Sequence, residues 1–505
     1  MMLHLSKFFD DIYEADQKGI PCFKLFSGGK WFFSRDKKFI DIKSPIDDSV
    51  IARVSMADEK DADDAVANAN KGKMAIRGLP AIERLNAMRR AADALEWHKE
   101  DMISSIVINN GKTTADATGE VNATRNRLLL TFEEARKIYG DYLPGDWAEE
   151  NLGKYAMVIR EPVGVVLAIP PFNYPLFITY TKIIPALLAG NSVIAKPASA
   201  DPIPAILMAK ILDASGVPAG ALSVITAKGA IGSRMAESPM INMVTFTGST
   251  EVGEELTKIS GIKKIHLELG GKGCAIVLDD ADIQDAADKV LAGSLKNAGQ
   301  RCDAISLVLV QEGVANKFTE MLKERIKKWV VGDPADPASK IGPLIDSKAV
   351  ARVKALVDDA VKKGAVLAHG GTVKGNFFEP TLLLNVPLEA NIINEETFGP
   401  VVPVHVFKSI DDALEIANKS KYGLDSSVFT TNINHAWKIA KRLEVGEVTI
   451  NNFPAHGVGF FPFGGVKESG LGREGVGYSI EEFTNMKTIV VDTRAAKTWT
   501  VKPQD

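Results

Sequence analysis

Cysteine is scarce: the 505 residues hold three, Cys22, Cys274 and Cys302, far apart and in no CxxC pairing. That excludes a disulfide framework and fits a reducing compartment. No clustered His/Cys set of ligand spacing is present either, so no metal is expected. Basic runs are missing and the formal net charge is -4, so nucleic acid is not an expected partner. The opening MMLHLSKFFDDIYEADQKG meets acidic residues too early to supply the apolar core of a signal peptide. Residues 163–195 carry Lys182 as their only charge, but Pro170, Pro171, Pro175, Pro185, Asn173 and Asn191 interrupt them. A lipid-facing helix does not tolerate so many breaks, and a buried strand, loop and helix are expected instead, with no membrane partner. Internal repeats and low-complexity segments are absent. What remains is a soluble, cytoplasmic globular protein, 46% hydrophobic and 25% charged, long enough for two or three domains.

The most pointed local pattern surrounds Cys302. Residues 282–298 place Ala286, Val290 and Leu291 at helical spacing behind a capping Asp282, and Gly299 stops the helix. Ile305 to Val310 then read as an apolar, β-branched strand. Cys302 thus lies in a tight helix-to-strand connection beside Arg301, a cation expected to lower the thiol pKa and activate it. A lone cysteine there also fits a small buried loop residue.

From Val163 onwards, short apolar strands (163–169, 192–195, 222–226, 243–246, 265–267) alternate with helical runs, which predicts a doubly wound parallel sheet. Ligands of such sheets bind beyond the strand C-termini. The residues there are Pro170–Asn173, Lys196–Ser199, Thr226–Gly229 and Thr247–Thr250, whose Gly, Ser, Lys and Asn suit a phosphorylated cofactor at a helix N-terminus. GSTEVG (248–253) is not the GxGxxG dinucleotide fingerprint and is weak alone. A second α/β pattern begins at Cys274, with the boundary at the glycine hinge Leu269–Lys272. The helix over 119–139 carries Glu120, Arg125 and Arg127, which serve either a site or a solvated face. The apolar run 487–492 reads as an unpaired strand that completes a sheet of its own chain or of a neighbouring subunit.

Seven motifs in order resemble the aldehyde dehydrogenase superfamily: PFNYP (171–175), KPAS (196–199), FTGSTEVG (246–253), LELGGK (267–272), GQRC (299–302), EETFGP (395–400) and FPFGGVKESGLGREG (461–475). They span roughly 26–491. The resemblance implies two doubly wound parallel-sheet domains, a Rossmann-like NAD(P)-binding domain (1–139 and 158–269) and a catalytic domain (270–480). A small β oligomerisation arm (140–157 and 481–505) completes a dimer or tetramer. It implies that Cys302 is the nucleophile, Glu268 the general base and Asn173, with the Cys302 backbone N–H, the oxyanion donor. Ile169, Phe172, Lys196, Ser199, Gly229, Gly248, Ser249, Val252, Leu269, Glu396 and Phe398 fall at cofactor-binding positions. NAD-restricted members commonly carry glutamate where Ser199 stands, so NADP is expected, alongside NAD.

Arg301 before the nucleophile, with Tyr174 in FNYP, resembles the non-phosphorylating glyceraldehyde-3-phosphate dehydrogenase branch, and NNFPAHGVGFFPFGG (451–465) its archaeal form. The implied substrate is a phosphorylated small aldehyde held by Asn173, Tyr174, Arg301, Asp303 and His456. His456 stands where bacterial members have a second arginine, and Arg125 or Arg127 is the candidate replacement for another one missing near Ala123. Competing readings are a dehydrogenase of glyceraldehyde or succinate semialdehyde, a cysteine thioester hydrolase without redox chemistry, and a non-catalytic relative that keeps the fold.

Overall fold

In the strand Val165–Ile169, side chains alternate between two separate cores: Val166 and Ala168 join one apolar cluster, Val165 and Leu167 another. A strand buried on both faces suits a parallel sheet covered by helices on each side. The computed structural model, which describes residues 3–456 and 459–494, places that strand at the centre of an eight-stranded sheet. Met243–Thr247 and then Lys264–Glu268 lie parallel on one side of it, and Ser192–Ala195 and then Leu222–Val224 on the other. The hairpin Leu25–Ser27/Lys30–Phe32 closes one edge antiparallel. At the other edge, Gly470–Leu471 pairs antiparallel with Leu267 and Glu268.

A seven-stranded sheet follows, ordered Val366–His369, Thr381–Leu384, Val401–Phe407, Ile305–Gln311, Gly273–Val277, Asp425–Phe429, Glu447–Ile450. Only its first strand runs antiparallel to its neighbour. The fold is the two-sheet α/β architecture expected. The loop after Val165–Ile169 meets the connection 296–304 of the second sheet through Asn173. Among the described residues, no helix is long and apolar enough to cross a membrane.

The terminal apolar strand finds its partner in its own chain. Thr484–Asp492 pairs along its whole length with Lys154–Pro162, which also pairs with Asp141–Pro144. The expected arm boundaries at 157 and 481 are displaced: the middle strand continues to Pro162 because its partner does, and 481 lies inside the short helix Tyr478–Glu482. Residues 495–505, counted with the arm, lie outside the described residues, as do Gly457 and Val458 of the 451–465 stretch. Apolar side chains of the arm are exposed on both faces of its sheet, Tyr142 and Met157 on one and Leu143, Met486 and Val490 on the other.

The charges on the helix Thr114–Leu129 are not a solvated face. Glu120 is buried at the N-terminus of the helix Phe177–Leu188, whose own residues supply no side-chain cap. Its Oε1 accepts the backbone N–H of Leu176 (2.9 Å) and Phe177 (3.0 Å), while Oε2 pairs with Lys112 Nζ at 2.5 Å. A carboxylate at a helix N-terminus meets otherwise orphaned donors and the positive end of the dipole. The helix start fixes the preceding loop, which carries Asn173 and Tyr174. Glu120→Ala leaves Lys112 buried without its partner, so chemical denaturation is expected to show a loss of about 3–5 kcal/mol, with kcat falling in parallel as the loop relaxes.

Candidate active site

The nucleophile candidate is presented by an unusual backbone. Asn297, Ala298 and Gly299 all have positive φ (51°, 54° and 69°), a conformation costly for the first two and free only for glycine. A Cβ on Gly299 would overlap the carbonyl oxygen of Gly399. Side chains secure the turn from within. Gln300 Oε1 accepts from Ile345 N (2.9 Å), and Asn297 Nδ2 donates to Asn173 O and Gln300 O (3.3 Å each). Asn173 Nδ2 donates to Gln300 O at 3.0 Å. An amide has two N–H donors, and the second of Asn173 has no protein partner among the described residues. Cys302 stays partly exposed at the end of this turn.

Arg301 does not activate the cysteine as expected. Its Nε donates to Asp303 Oδ1 (2.9 Å) and Nη2 to Pro454 O (3.0 Å), and its guanidinium stacks 5.7 Å from the Phe453 ring centre. Neutralised by Asp303, it is outweighed: burial first, then Asp303, Glu268 and Asp425, push the Cys302 thiol well above its ordinary value. Arg301 Nη1 is buried with no hydrogen-bond partner. Tyr174 packs beside this group with its ring 3.5 Å from Lys112 Nζ.

His456 donates its backbone N–H to Asp303 Oδ2 (3.3 Å), and its ring sits between Phe177 and Phe463. Burial holds it below the usual histidine pKa, so it is neutral rather than a cation standing in for arginine. Neither candidate replacement arginine fills that role. Arg125 turns outwards to Glu96 (3.0 Å), and Arg127 is buried against Glu134 (2.6 Å) and Gly459 O (3.0 Å).

Glu268, at the C-terminal end of Lys264–Glu268, is buried with Oε1 unpartnered. Burial and the neighbouring Glu474 carboxylate raise its pKa well above the ordinary value. Glu474 is the ionised member: burial opposes its charge, but Lys182, His266 and His456 overcome this and hold it down to about 2. Lys182 Nζ reaches Glu474 Oε1 at 2.9 Å. Sequence spacing gave no hint of this cluster, although Lys182 was conspicuous as the only charge in its stretch.

The cofactor-position residues fall into three groups. Ile169, Lys196, Gly229 and Val252 line a cavity of about 350 Å³ beyond the strand C-termini, and Ser199 reaches Ala227 O beside it at 3.5 Å. Gly248 donates to Glu268 O (3.1 Å), leaving no room for a side chain against the Phe246 ring; Ser249 caps the next helix through Val252 N, and Leu269 donates to Ser469 O (2.9 Å). Nearer Cys302, Phe172 and Phe398 meet edge to face at 5.8 Å, and Glu396 Oε1 accepts from Gly271 N at 3.2 Å. Lys272, buried beside Glu396 and donating to Thr397 Oγ1 (3.0 Å), is pushed down to about 7 by burial.

Because thiolate is the alkylated form, the raised thiol pKa of Cys302 makes iodoacetamide labelling of the free enzyme continue to accelerate above about pH 8.5, the ordinary midpoint. Asp303→Asn removes a negative neighbour and moves the midpoint to lower pH; labelling rates across pH 6–11 check both.

The aldehyde dehydrogenase family model matches residues 31–489. The NADP-dependent glyceraldehyde-3-phosphate dehydrogenase of Streptococcus equinus is 40% identical over 472 residues, covering 93% of this chain and 98% of that protein. The NADP(+) succinate-semialdehyde dehydrogenase of Escherichia coli (strain K12) is 37% identical over 470 residues, covering 92% and 96%. Among solved structures, the NADP complex of the NADP-dependent glyceraldehyde-3-phosphate dehydrogenase from Bacillus halodurans superposes with a TM-score of 0.91 at 38% identity, covering 93% and 99%. On its fold, its ordered motifs and these likenesses, the chain belongs to the aldehyde dehydrogenase family.

Proposed function

We propose that this NAD(P)-dependent aldehyde dehydrogenase oxidises glyceraldehyde 3-phosphate to 3-phosphoglycerate without inorganic phosphate. The observation that carries the reading is Arg301: a buried guanidinium one residue from the nucleophile, with Nη1 still unpartnered. An orphaned cationic donor in a substrate cleft favours an anionic group, and a phosphate oxygen satisfies it with a charge-assisted hydrogen bond. The relatives named above act on aldehydes that end in a phosphate or a carboxylate, which supports an anionic tail.

The residues fit a nicotinamide dinucleotide. Lys196 is buried beside the 350 Å³ cavity, burial lowers its pKa, and its ammonium has no hydrogen-bond partner among the described residues. Ribose hydroxyls or a 2′-phosphate satisfy it, and Ser199 brings no negative charge to repel that phosphate. Glu396, Phe398 and Phe172 hold the nicotinamide end. When bound, the cofactor accepts the hydride.

Cys302 gives its thiol proton to the Glu268 carboxylate and adds through sulfur to the aldehyde carbon, and the second Asn173 N–H with the Cys302 backbone N–H meets the oxyanion. Once hydride has left, a thioester remains on Cys302. Glu268, having passed that proton to solvent, takes a proton from water, which attacks the thioester carbon and releases the acid and the thiolate of Cys302. The exposed apolar side chains on the arm support assembly into a dimer or tetramer.

Nicotinamide reduction without inorganic phosphate is expected to favour glyceraldehyde 3-phosphate over glyceraldehyde and succinate semialdehyde in kcat/KM, with NADP and with NAD. Arg301→Ala should erode that preference by about 10- to 100-fold, the value of a hydrogen bond to a charged group. Equal turnover of the unphosphorylated aldehydes would sink the substrate assignment.

A further inference from the structure

Behind Glu268 lie several buried ligand atoms with nothing to bind. His266 Nε2, Glu268 Oε1 and Glu474 Oε2 are all buried without a hydrogen-bond partner, on side chains only 2% exposed. One ligand atom from each of these three residues lies within 4.8 Å of the others. His456 Nε2, also unpartnered, is 3.8 Å from Glu474 Oε2. The other atoms of these groups are already committed. Glu474 Oε1 is held by Lys182, and His266 Nδ1 is 3.2 Å from the Thr245 hydroxyl, itself 3.3 Å from Lys182 Nζ. Three buried side chains with orphaned atoms gathered in one place are not what a finished polar core shows, where nearly every buried donor or acceptor is satisfied.

We propose that His266, Glu268 and Glu474 bind a divalent cation of the zinc class, with water as the fourth ligand, and that its binding stops turnover. The donor set of imidazole and carboxylate suits Zn²⁺ or Co²⁺, and two carboxylates balance the two charges. Bonds of about 2.1 Å in a tetrahedron place ligand atoms about 3.4 Å apart, and the three protein ligands, within 4.8 Å of one another, reach this by small side-chain rotations. The Thr245 contact on Nδ1 orients the His266 ring and leaves Nε2 for the metal, the usual arrangement behind a ligating histidine. Lys182 stays on Oε1 and Arg473 remains on the carbonyls of Gly465 and Gly472, so neither cation blocks the open face. The expectation of no metal came from linear spacing, and the three ligands are separated by one residue and then by two hundred, so only the fold brings them together.

The inhibitory half rests on Glu268 being the hydrolytic base; the binding half does not. Held by the cation, Glu268 takes neither the thiol proton of Cys302 nor the proton of water, and turnover stops.

The test titrates the full-length, metal-free enzyme with Co²⁺ and reads the visible spectrum. The expected result is one equivalent bound, with tetrahedral bands and no near-ultraviolet thiolate-to-cobalt band, and the same spectrum in Cys302→Ser. His266→Gln should weaken binding at least tenfold. With Zn²⁺ bound, mixing with aldehyde and NADP should give no turnover, reversed by a chelator. No bound Co²⁺, a thiolate band that vanishes in Cys302→Ser, or binding unchanged in His266→Gln would overturn the site. Cobalt bound as expected with steady turnover retained would leave the site standing and overturn Glu268 as the base.

Discussion

Three consecutive residues in the left-handed region, ending where Gly299 presses on the Gly399 carbonyl, set the position of everything that reacts. Such a turn is unfavourable unless its surroundings hold it. Asn297, Gln300 and Asn173 supply that hold through side-chain hydrogen bonds to backbone, and the two between Asn173 and the 297–300 turn also join the second unit to the loop of the first. The nucleophile and the amide beside it are therefore placed by one shared network rather than by two.

Charge inside this protein is distributed by the same logic. Lys112 with Glu120 fixes a helix start, Arg127 with Glu134 supports the wall behind it, and Lys182 with Glu474 sits under the general base. Buried pairs of this kind stabilise weakly compared with apolar packing, but breaking one is costly. Their effect here is to specify: each joins segments distant in sequence at the floor of one cleft. Burial first, and then the negative charge of the neighbouring Glu474, raise the pKa of Glu268.

Much of this was legible in the sequence because it depends on local pattern. Alternating apolar strands and helices gave the two sheets, and short motifs marked Cys302, Glu268 and Asn173. What escaped depends on which neighbour each side chain meets in space. Arg301 looked like an activator because it adjoins Cys302, but Asp303, two residues on, pairs with it. Arg127 looked available, but Glu134 holds it. His456 looked like a substitute for arginine, whereas its burial keeps it neutral between two phenyl rings. Glu120 stayed open between a site and a solvated face, because helical periodicity cannot show which neighbour covers a face.

The strand that ends in Glu268 is completed by Gly470–Leu471, a segment from the far side of the second unit. During synthesis the first sheet emerges and folds with this edge open, and the pairing waits until almost the whole second unit has left the ribosome. A chain halted at the glycine hinge would carry the cofactor cavity but expose an unsatisfied strand edge, a template for association with other nascent chains. The two units are thus a single folding partnership, and maturation of the hydrolytic half of the site is timed to the last stage of translation.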